Sequence, residues 1–317
     1  MLRFARWFSR RSTAYGLAVL FALWGIWIFG QVFRDATQIS ELAFYFPSPV
    51  LLALLVGIAF WAWRGKRRGA AAFVLTLAVA PAVFVFGVEN HFFAGAPAGS
   101  TGPTIRLVHW NVFHGAFGRT GVWKETLKEK ADFYVISEPG DMDVDLLARQ
   151  LGNDYSARRV AYMAIVARGR LQKPHWVAYG SGLVVYSVRW TFSNQQCNVF
   201  VVDLASDVLM PRDPRLRRLV RLIHQYQPDL VVGDFNAPRR SLALSSLPSG
   251  YAHAYDVAGS GWSYTWPFPV PVYAIDQCIL GRRVVPARYR LVTSLYSDHR
   301  RQVLDFTMTE PDEAGKK

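Results

Sequence analysis

A carboxylate and a carboxamide, Asp234 and Asn236, stand two residues apart at the close of the run Leu-Val-Val-Gly-Asp-Phe-Asn-Ala-Pro, residues 230–238. An ionised carboxylate can take a proton from water, and an amide N–H can hold a developing oxyanion. The apolar residues 230–232 predict a buried strand that stops at Gly233. On extended backbone, residues i and i+2 point the same way. The two side chains are therefore expected to leave the strand tip together, before Ala237-Pro238 turns the chain away. By itself the motif is equally an ordinary strand-to-turn junction, where Asp and Asn are common.

Four more stretches end on polar groups in the same manner. Residues 104–112 predict a strand ending at Asn111, with His114 close behind. Residues 132–139 predict an apolar strand that ends on Glu138 before Pro139. Within 273–280, Asp276 falls at the third or fourth position of an apolar strand, where an ionised side chain is costly unless paired or used. Asp298 and His299 follow the apolar segment 291–295, and 303–306 reads as the last strand. The elements that must position these groups alternate between strand and helix. Residues 121–131 and 213–225 predict helices, the second with Leu216, Leu219, Val220 and Ile223 on one face and a solvated set of arginines, Arg215, Arg217, Arg218 and Arg221, on the others. Segments 160–168 and 181–188 read as strands that can pair with each other, and 198–204 as a strongly apolar strand interrupted by Asp203. Alternation of this kind predicts a layered α/β or α+β fold. The loop 259–271, rich in aromatics and proline, could stack on bases, touch lipid or pack on the domain.

Five pieces, Trp110-Asn111-Val112, Ile136-Ser137-Glu138, Gly233-Asp234-Phe235-Asn236, Ile275-Asp276 and Ser297-Asp298-His299, occur in an order and spacing that resembles the endonuclease/exonuclease/phosphatase superfamily, over residues 104 to about 307. The resemblance implies a four-layer α/β sandwich, two packed mixed sheets flanked by helices. It also implies hydrolysis of phosphodiesters or phosphomonoesters with Mg²⁺ or Mn²⁺. By the same resemblance Glu138 is the chief metal ligand, with Asn111 and Asp298 nearby. Asp234 orients or deprotonates the attacking water, Asn236 holds a phosphate oxygen, and His299 contacts the phosphate with Asp276 behind it. One position departs from the family pattern. Where a Thr-His-Leu-like run is usual, this chain has Val202-Asp203-Leu204, and an ionised Asp203 repels an anion. Asp203 then binds a cation, or is protonated, or marks an enzyme that is slow or altered in substrate. A binding or scaffold domain of the same fold, impaired by Asp203, is the alternative.

The first hundred residues are of a different kind. Three uncharged apolar runs, 13–33, 46–63 and 70–88, predict three transmembrane helices; the first, as a helix of 21 residues, would be about 31 Å long. Basic residues precede the first run (Arg3, Arg6, Arg10, Arg11) and separate the second from the third (Arg64, Lys66, Arg67, Arg68). The positive-inside rule therefore places the amino terminus in the cytoplasm and everything after the third run outside it, on the periplasmic side of an inner membrane. The expected organisation is a membrane domain at 1–93, a small-residue linker at 94–103, the α/β domain at 104–309 and a charged tail at 310–317. The chain of 317 residues carries a net charge of +13, compatible with a nucleic acid or a phospholipid head group as the phosphate ester, and with a bilayer as partner. No segment points to an obligate protein partner. Cys197 and Cys278 lack ligand spacing, which argues against zinc; they read as buried thiols, with one disulfide between them left open.

Overall fold

A computed structural model describes residues 2–92 and 104–309. The expected linker at 94–103 and tail at 310–317 lie outside the described residues. The chain divides into two compact units, Met1–Val88 and Glu89–Lys317, so residues 89–92, expected in the membrane domain, group with the α/β domain.

The first unit contains α1 (Leu2–Phe33), α2 (Gln38–Phe44), α3 (Ser48–Arg64) and α4 (Arg68–Val83), which runs on as π-helix through Phe84–Glu89. Leu20, Trp27, Leu51, Leu55, Val74 and Ala78 form its buried cluster, while Phe21, Val32, Trp61 and Val79 on the same helices are exposed. Pro81 has no N–H to give the carbonyl of Leu77 one turn back. The indole Nε1 of Trp24 donates to that carbonyl at 3.1 Å instead, and the helix widens to π geometry three residues later.

The expectation of three transmembrane helices is met in part among the described residues. Among the described residues one helix, Arg68–Glu89, is long and apolar enough to cross a membrane by itself. Ala18–Phe33 and Gln38–Phe44 meet the criterion only as a pair bent by 115°, and Ser48–Arg64 is a shorter apolar helix. The bend falls where the uncharged run 13–33 ends: Arg34, the first charged residue after it, takes a left-handed φ of 48°.

The second unit is built on two sheets. Its strands are β1 (Ile105–Asn111), β2 (Phe133–Ser137), β3 (Tyr155–Val160), β4 (Met163–Arg168), β5 (Arg170–Leu171), β6 (His175–Gly180), β7 (Leu183–Phe192), β8 (Gln195–Leu204), β9 (Leu230–Asp234), β10 (Ala252–His253), β11 (Asp276–Leu280), β12 (Val284–Val292) and β13 (Arg301–Met308). The first sheet has the order β12-β13-β1-β2-β4-β3, the second β10-β11-β9-β8-β7-β5, with β6 also on β7. Both are mixed, since β1–β2 and β8–β9 are parallel and the other pairs antiparallel.

Alternation along each central strand sorts side chains to two buried faces. Leu107, Phe133 and Ile165 of the first sheet meet Val199, Val201 and Val232 of the second. Val108, Tyr134 and Ile136 face the other way, onto Val122 of α5 (Arg119–Glu129) and Leu147 of α6 (Val144–Leu151). Phe200, Val202 and Val231 pack on Leu216, Leu219 and Ile223 of α7 (Arg212–Tyr226). Helix, sheet, sheet, helix is the four-layer α/β sandwich. Cys197 and Cys278 are free, buried thiols in the inter-sheet core.

Several expectations change in detail. Segments 160–168 and 181–188 do not pair: β4 lies between β2 and β3 in one sheet, and β7 lies beside β8 in the other. The missing partner was β3, whose Ser156, Arg158 and Arg159 hide its strand character. Asp276 is the first residue of β11, and not its third or fourth. Arg215 is buried rather than solvated; its guanidinium bonds the carbonyls of Met210 and Pro211.

Gly233 is where the two site-bearing strands touch. A Cβ there would lie 1.8 Å from the carbonyl oxygen of Val202, its partner in the parallel β8–β9 ladder. Neither backbone can move without breaking the ladder. Gly233→Ala should therefore cost about 3 kcal/mol or more of stability. Thermal unfolding of the full chain in mild detergent would check this, and a melting temperature equal to wild type would contradict it.

Candidate active site

Asn111 ties the two sheets together at their common end. Its Oδ1 accepts the backbone N–H of Phe113 at 2.9 Å. The amide nitrogen is thereby turned the other way, donating to Glu138 Oε1 at 3.1 Å and to Asp234 Oδ2 at 3.0 Å. Asn111, expected among the metal ligands, thus presents its N–H groups to the two carboxylates. Glu138 follows the last residue of β2 with a left-handed φ of 50°, and its N–H is held by the Tyr162 carbonyl at 2.8 Å. Its carboxylate is a third exposed, and His114 Nε2 lies 3.2 Å from Oε2. His114, given little weight in the sequence, was signalled only by lying three residues beyond Asn111.

Asp234 is the last residue of β9 and sits opposite Asp276 in the antiparallel register. Asn236 does not continue the strand: its φ is 44°, its N–H returns to Asp234 Oδ1 at 2.9 Å, and its Nδ2 donates to the Leu204 carbonyl at 2.7 Å. The shared direction expected from extended geometry is replaced by an Asx turn that locks the Asp234 carboxylate.

His299 Nδ1 donates to Asp276 Oδ2 at 2.8 Å, with both side chains buried. The backbone of His299 is fixed as well, by Trp110 Nε1 on its carbonyl and Ser297 Oγ on its N–H; Ser297 Oγ in turn donates to the Asn111 carbonyl. Burial pushes the imidazole down, but Asp276, then Asp234 and Asp298, outweigh it and hold His299 up at about 9. Burial likewise acts against ionised Asp276, yet His299 keeps its carboxyl below the usual range. Burial followed by the charge of Asp276 outweighs the opposing pull of His299 and pushes Asp234 up to about 7.

Behind Asp276 runs a buried polar chain that sequence reasoning missed. His109 Nδ1 lies 3.7 Å from Asp276 Oδ1 and accepts from Gln302 Nε2 at 2.7 Å, while its Nε2 faces Ser137 Oγ at 3.0 Å. Burial first, then His299, lowers His109 to about 4, so it is neutral. His109 lies two residues before Asn111 within β1, and nothing in an apolar-strand pattern separates it from a packing residue.

Asp298 accepts Trp266 Nε1 on Oδ2 at 2.9 Å, and its buried Oδ1 has no hydrogen-bond partner. Asp203 pairs with Asp234 in the β8–β9 register; burial and then the charge of Glu138 push it up to about 6. Among the described residues no ion pair joins a lysine or arginine to Glu138, Asp203, Asp234, Asp276 or Asp298. Five carboxyl groups thus face one imidazolium, and a phosphate anion meets a repulsive field unless a cation accompanies it. An all-oxygen donor set with an orphaned carboxylate oxygen fits a hard divalent ion. Asp234, Asp276 and His299 do offer ligand atoms within 4.8 Å of one another.

Neither a protein-family model nor a curated protein matches the chain. Solved structures do. D. rerio TDP2 complexed with single-strand DNA product matches with a TM-score of 0.53 at 17% identity, covering 65% of this chain and 99% of that one. The human Nocturnin catalytic domain with bound sulfate anion matches at 0.50 and 16%, covering 65% and 95%. An endonuclease/exonuclease/phosphatase from Bacteroides vulgatus matches at 0.52 and 14%, covering 66% and 100%. The α/β domain has the fold of the endonuclease/exonuclease/phosphatase superfamily.

Proposed function

We propose that the chain is a membrane-anchored, divalent-metal-dependent phosphoesterase acting outside the cytoplasm. One observation carries the reading: Glu138, Asn111, Asp234, Asp276 and His299, drawn from both sheets, form one continuous set of hydrogen bonds and facing carboxylates. Asp234 takes the proton of the attacking water, with its carboxylate held by Asn111 and by the turn at Asn236. His299, as an imidazolium, donates from Nε2 to a phosphoryl oxygen, and Asp276 fixes its tautomer and its charge. Asn236 orients the turn, with its amide directed to Leu204. Glu138 would hold the metal, with the free oxygen of Asp298 and the carboxyl of Asp203 as nearby oxygen donors. Mg²⁺ or Mn²⁺, when bound, supplies neutralisation of the phosphoryl oxygens and of the leaving oxygen.

The helix Arg68–Glu89 and the exposed apolar faces of the first unit support a bilayer anchor, and the distribution of basic residues supports a cytoplasmic amino terminus with the α/β domain outside. TDP2 complexed with single-strand DNA product supports a nucleic acid as one candidate ester; the anchor supports a phospholipid head group as the other. The assembled Asp234–Asp276–His299 geometry favours the enzyme over an impaired scaffold.

The test is hydrolysis of bis-(p-nitrophenyl) phosphate and of plasmid DNA by the full chain in detergent, with Mg²⁺, Mn²⁺ or EDTA. Removing the proposed ligand in Glu138→Ala should cost about 10²–10³-fold in kcat/KM, equivalent to about 3–4 kcal/mol. Cleavage that survives EDTA, or survives Glu138→Ala undiminished, would reject the metal-dependent reading.

A further inference from the structure

Five loops bring the site residues together, and each also carries a large apolar side chain exposed to solvent. Phe113 follows Asn111, which holds its N–H. Tyr162, 62% exposed, gives its carbonyl to Glu138. Leu209, 71% exposed, lies in the loop after Asp203 and Leu204. Val270, 67% exposed, belongs to the loop whose Trp266 bonds Asp298. Leu295, 68% exposed, stands two residues before Ser297, which bonds the Asn111 carbonyl. Eight of the fourteen exposed large apolar side chains described between residues 89 and 309 lie in these loops, so more than half of this exposure is gathered around the site. A concentrated apolar surface of this kind marks an interaction site.

The loop that carries Leu209 is also braced. The buried guanidinium of Arg215 bonds the carbonyls of Met210 and Pro211 and reaches those of Gly182 and Ala205. Leu209 is therefore held outward by a built support.

We infer that this rim docks on a phospholipid bilayer, and that the ester cleaved is the head-group phosphate of a lipid presented in that bilayer; the second part rests on the phosphoesterase reading. Two observations favour lipid over nucleic acid. A nucleic-acid surface draws its affinity from lysines and arginines on phosphates, whereas the rim arginines are already engaged. Arg119 pairs with Asp141, Arg159 bonds the carbonyls of Gly140 and Met142, and Arg300 bonds those of Trp262 and Tyr264. Five of the eight rim side chains, moreover, are aliphatic, Val208, Leu209, Met210, Val270 and Leu295, and these bury into acyl chains but do not stack on bases. The occupant is supplied by the chain itself. The apolar helix Arg68–Glu89 ends on a residue bonded to the Tyr264 hydroxyl, and the next, Asn90, accepts the Ser263 N–H at 2.6 Å. Chain continuity thus keeps the domain within reach of any membrane that this helix crosses.

The test uses the full chain in nanodiscs of phosphatidylglycerol and phosphatidylethanolamine. Leu209→Cys and Leu295→Cys are labelled with a fluorophore, the native cysteines being buried, and compared with Asn194→Cys in the β7–β8 turn, at the opposite end of β8 from Asp203. Spin-labelled lipid should quench the labels at 209 and 295 at least threefold more than the label at 194. The combined variant Leu209→Ser, Val270→Ser, Leu295→Ser should hydrolyse nanodisc lipid at least tenfold more slowly than wild type and bis-(p-nitrophenyl) phosphate within twofold of it. Equal quenching at all three positions would overturn the docking surface. Unchanged lipid hydrolysis in the triple variant would overturn its role in catalysis. If wild type cuts the soluble ester and single-stranded DNA but not lipid, the lipid assignment falls and the phosphoesterase stands. If it cuts no ester at all, the phosphoesterase reading falls, and quenching alone decides the docking surface.

Discussion

Asp234→Asn is expected to lower metal-dependent kcat/KM by about 10³-fold while leaving the protein folded, a loss of about 4 kcal/mol in transition-state stabilisation. The carboxylate accepts from Asn111 Nδ2 and from the Asn236 N–H. An asparagine can keep one of these bonds through its oxygen but turns its own amide nitrogen toward the other donor. That lost acceptor should cost about 1–2 kcal/mol of stability, too little to unfold a domain with this much inter-sheet core. The chemical loss is larger because the amide cannot take a proton from water. A pH profile distinguishes the two effects. Burial and the charge of Asp276 put Asp234 at about 7, and only its ionised form is a base. Activity of the wild type should therefore rise with pH through about 7, whatever the substrate. An Asp234→Asn protein with a wild-type melting temperature and near wild-type turnover would remove Asp234 from the reaction.

Much of this arrangement was legible in the sequence, for reasons that differ by residue. Strands β1, β2, β8 and β9 are buried on both faces, so their residues form nearly unbroken apolar runs, and the polar residue that ends each run stands out. Asn111, Glu138 and Asp234 were visible for that reason. Helix α7 was visible through the 3.6-residue spacing of Leu216, Leu219 and Ile223. The strand β3 was not, because its side chains are half exposed and two are arginines. Nor could spacing tell that Asn236 leaves extended geometry, since a left-handed turn is stabilised by bonds to Asp234 and Leu204 that only the fold supplies. His109 shows the deeper limit. A histidine in an apolar strand acquires meaning only from partners, Asp276 and Gln302, that are far away in sequence. The three apolar runs at the amino terminus were equally plain in composition, and the first ends at Phe33, where α1 ends; that a second short helix would fold back at 115° was not written in hydropathy.

Asp276→Asn should be the more informative substitution at the phosphate-binding end. His299 is held at about 9 because Asp276, seconded by Asp234 and Asp298, overcomes the burial that alone would push it down. In the wild type the imidazolium is the form that can donate from both nitrogens, so activity should decline as pH rises through about 9. With Asp234 supplying the acidic limb, the free-enzyme profile is a bell between about 7 and about 9, whose two apparent values belong to the coupled set of Asp234, Asp276 and His299. Removing the charge of Asp276 keeps an acceptor for His299 Nδ1 but withdraws the largest force sustaining the imidazolium. The basic limb should then move to lower pH by one unit or more, and the acidic limb should move down with it, because the charge of Asp276 also raises Asp234. The bell shifts toward acid, and kcat/KM at pH 8 falls by about 10–10²-fold. The same substitution should flatten the fall of stability between about pH 6.5 and 9, because a histidine with a raised folded pKa contributes stability below its unfolded value and loses it as pH climbs to the folded one. A loss of activity with the basic limb unmoved would mean that Asp276 only shapes the pocket, and that His299 does not act as a cation.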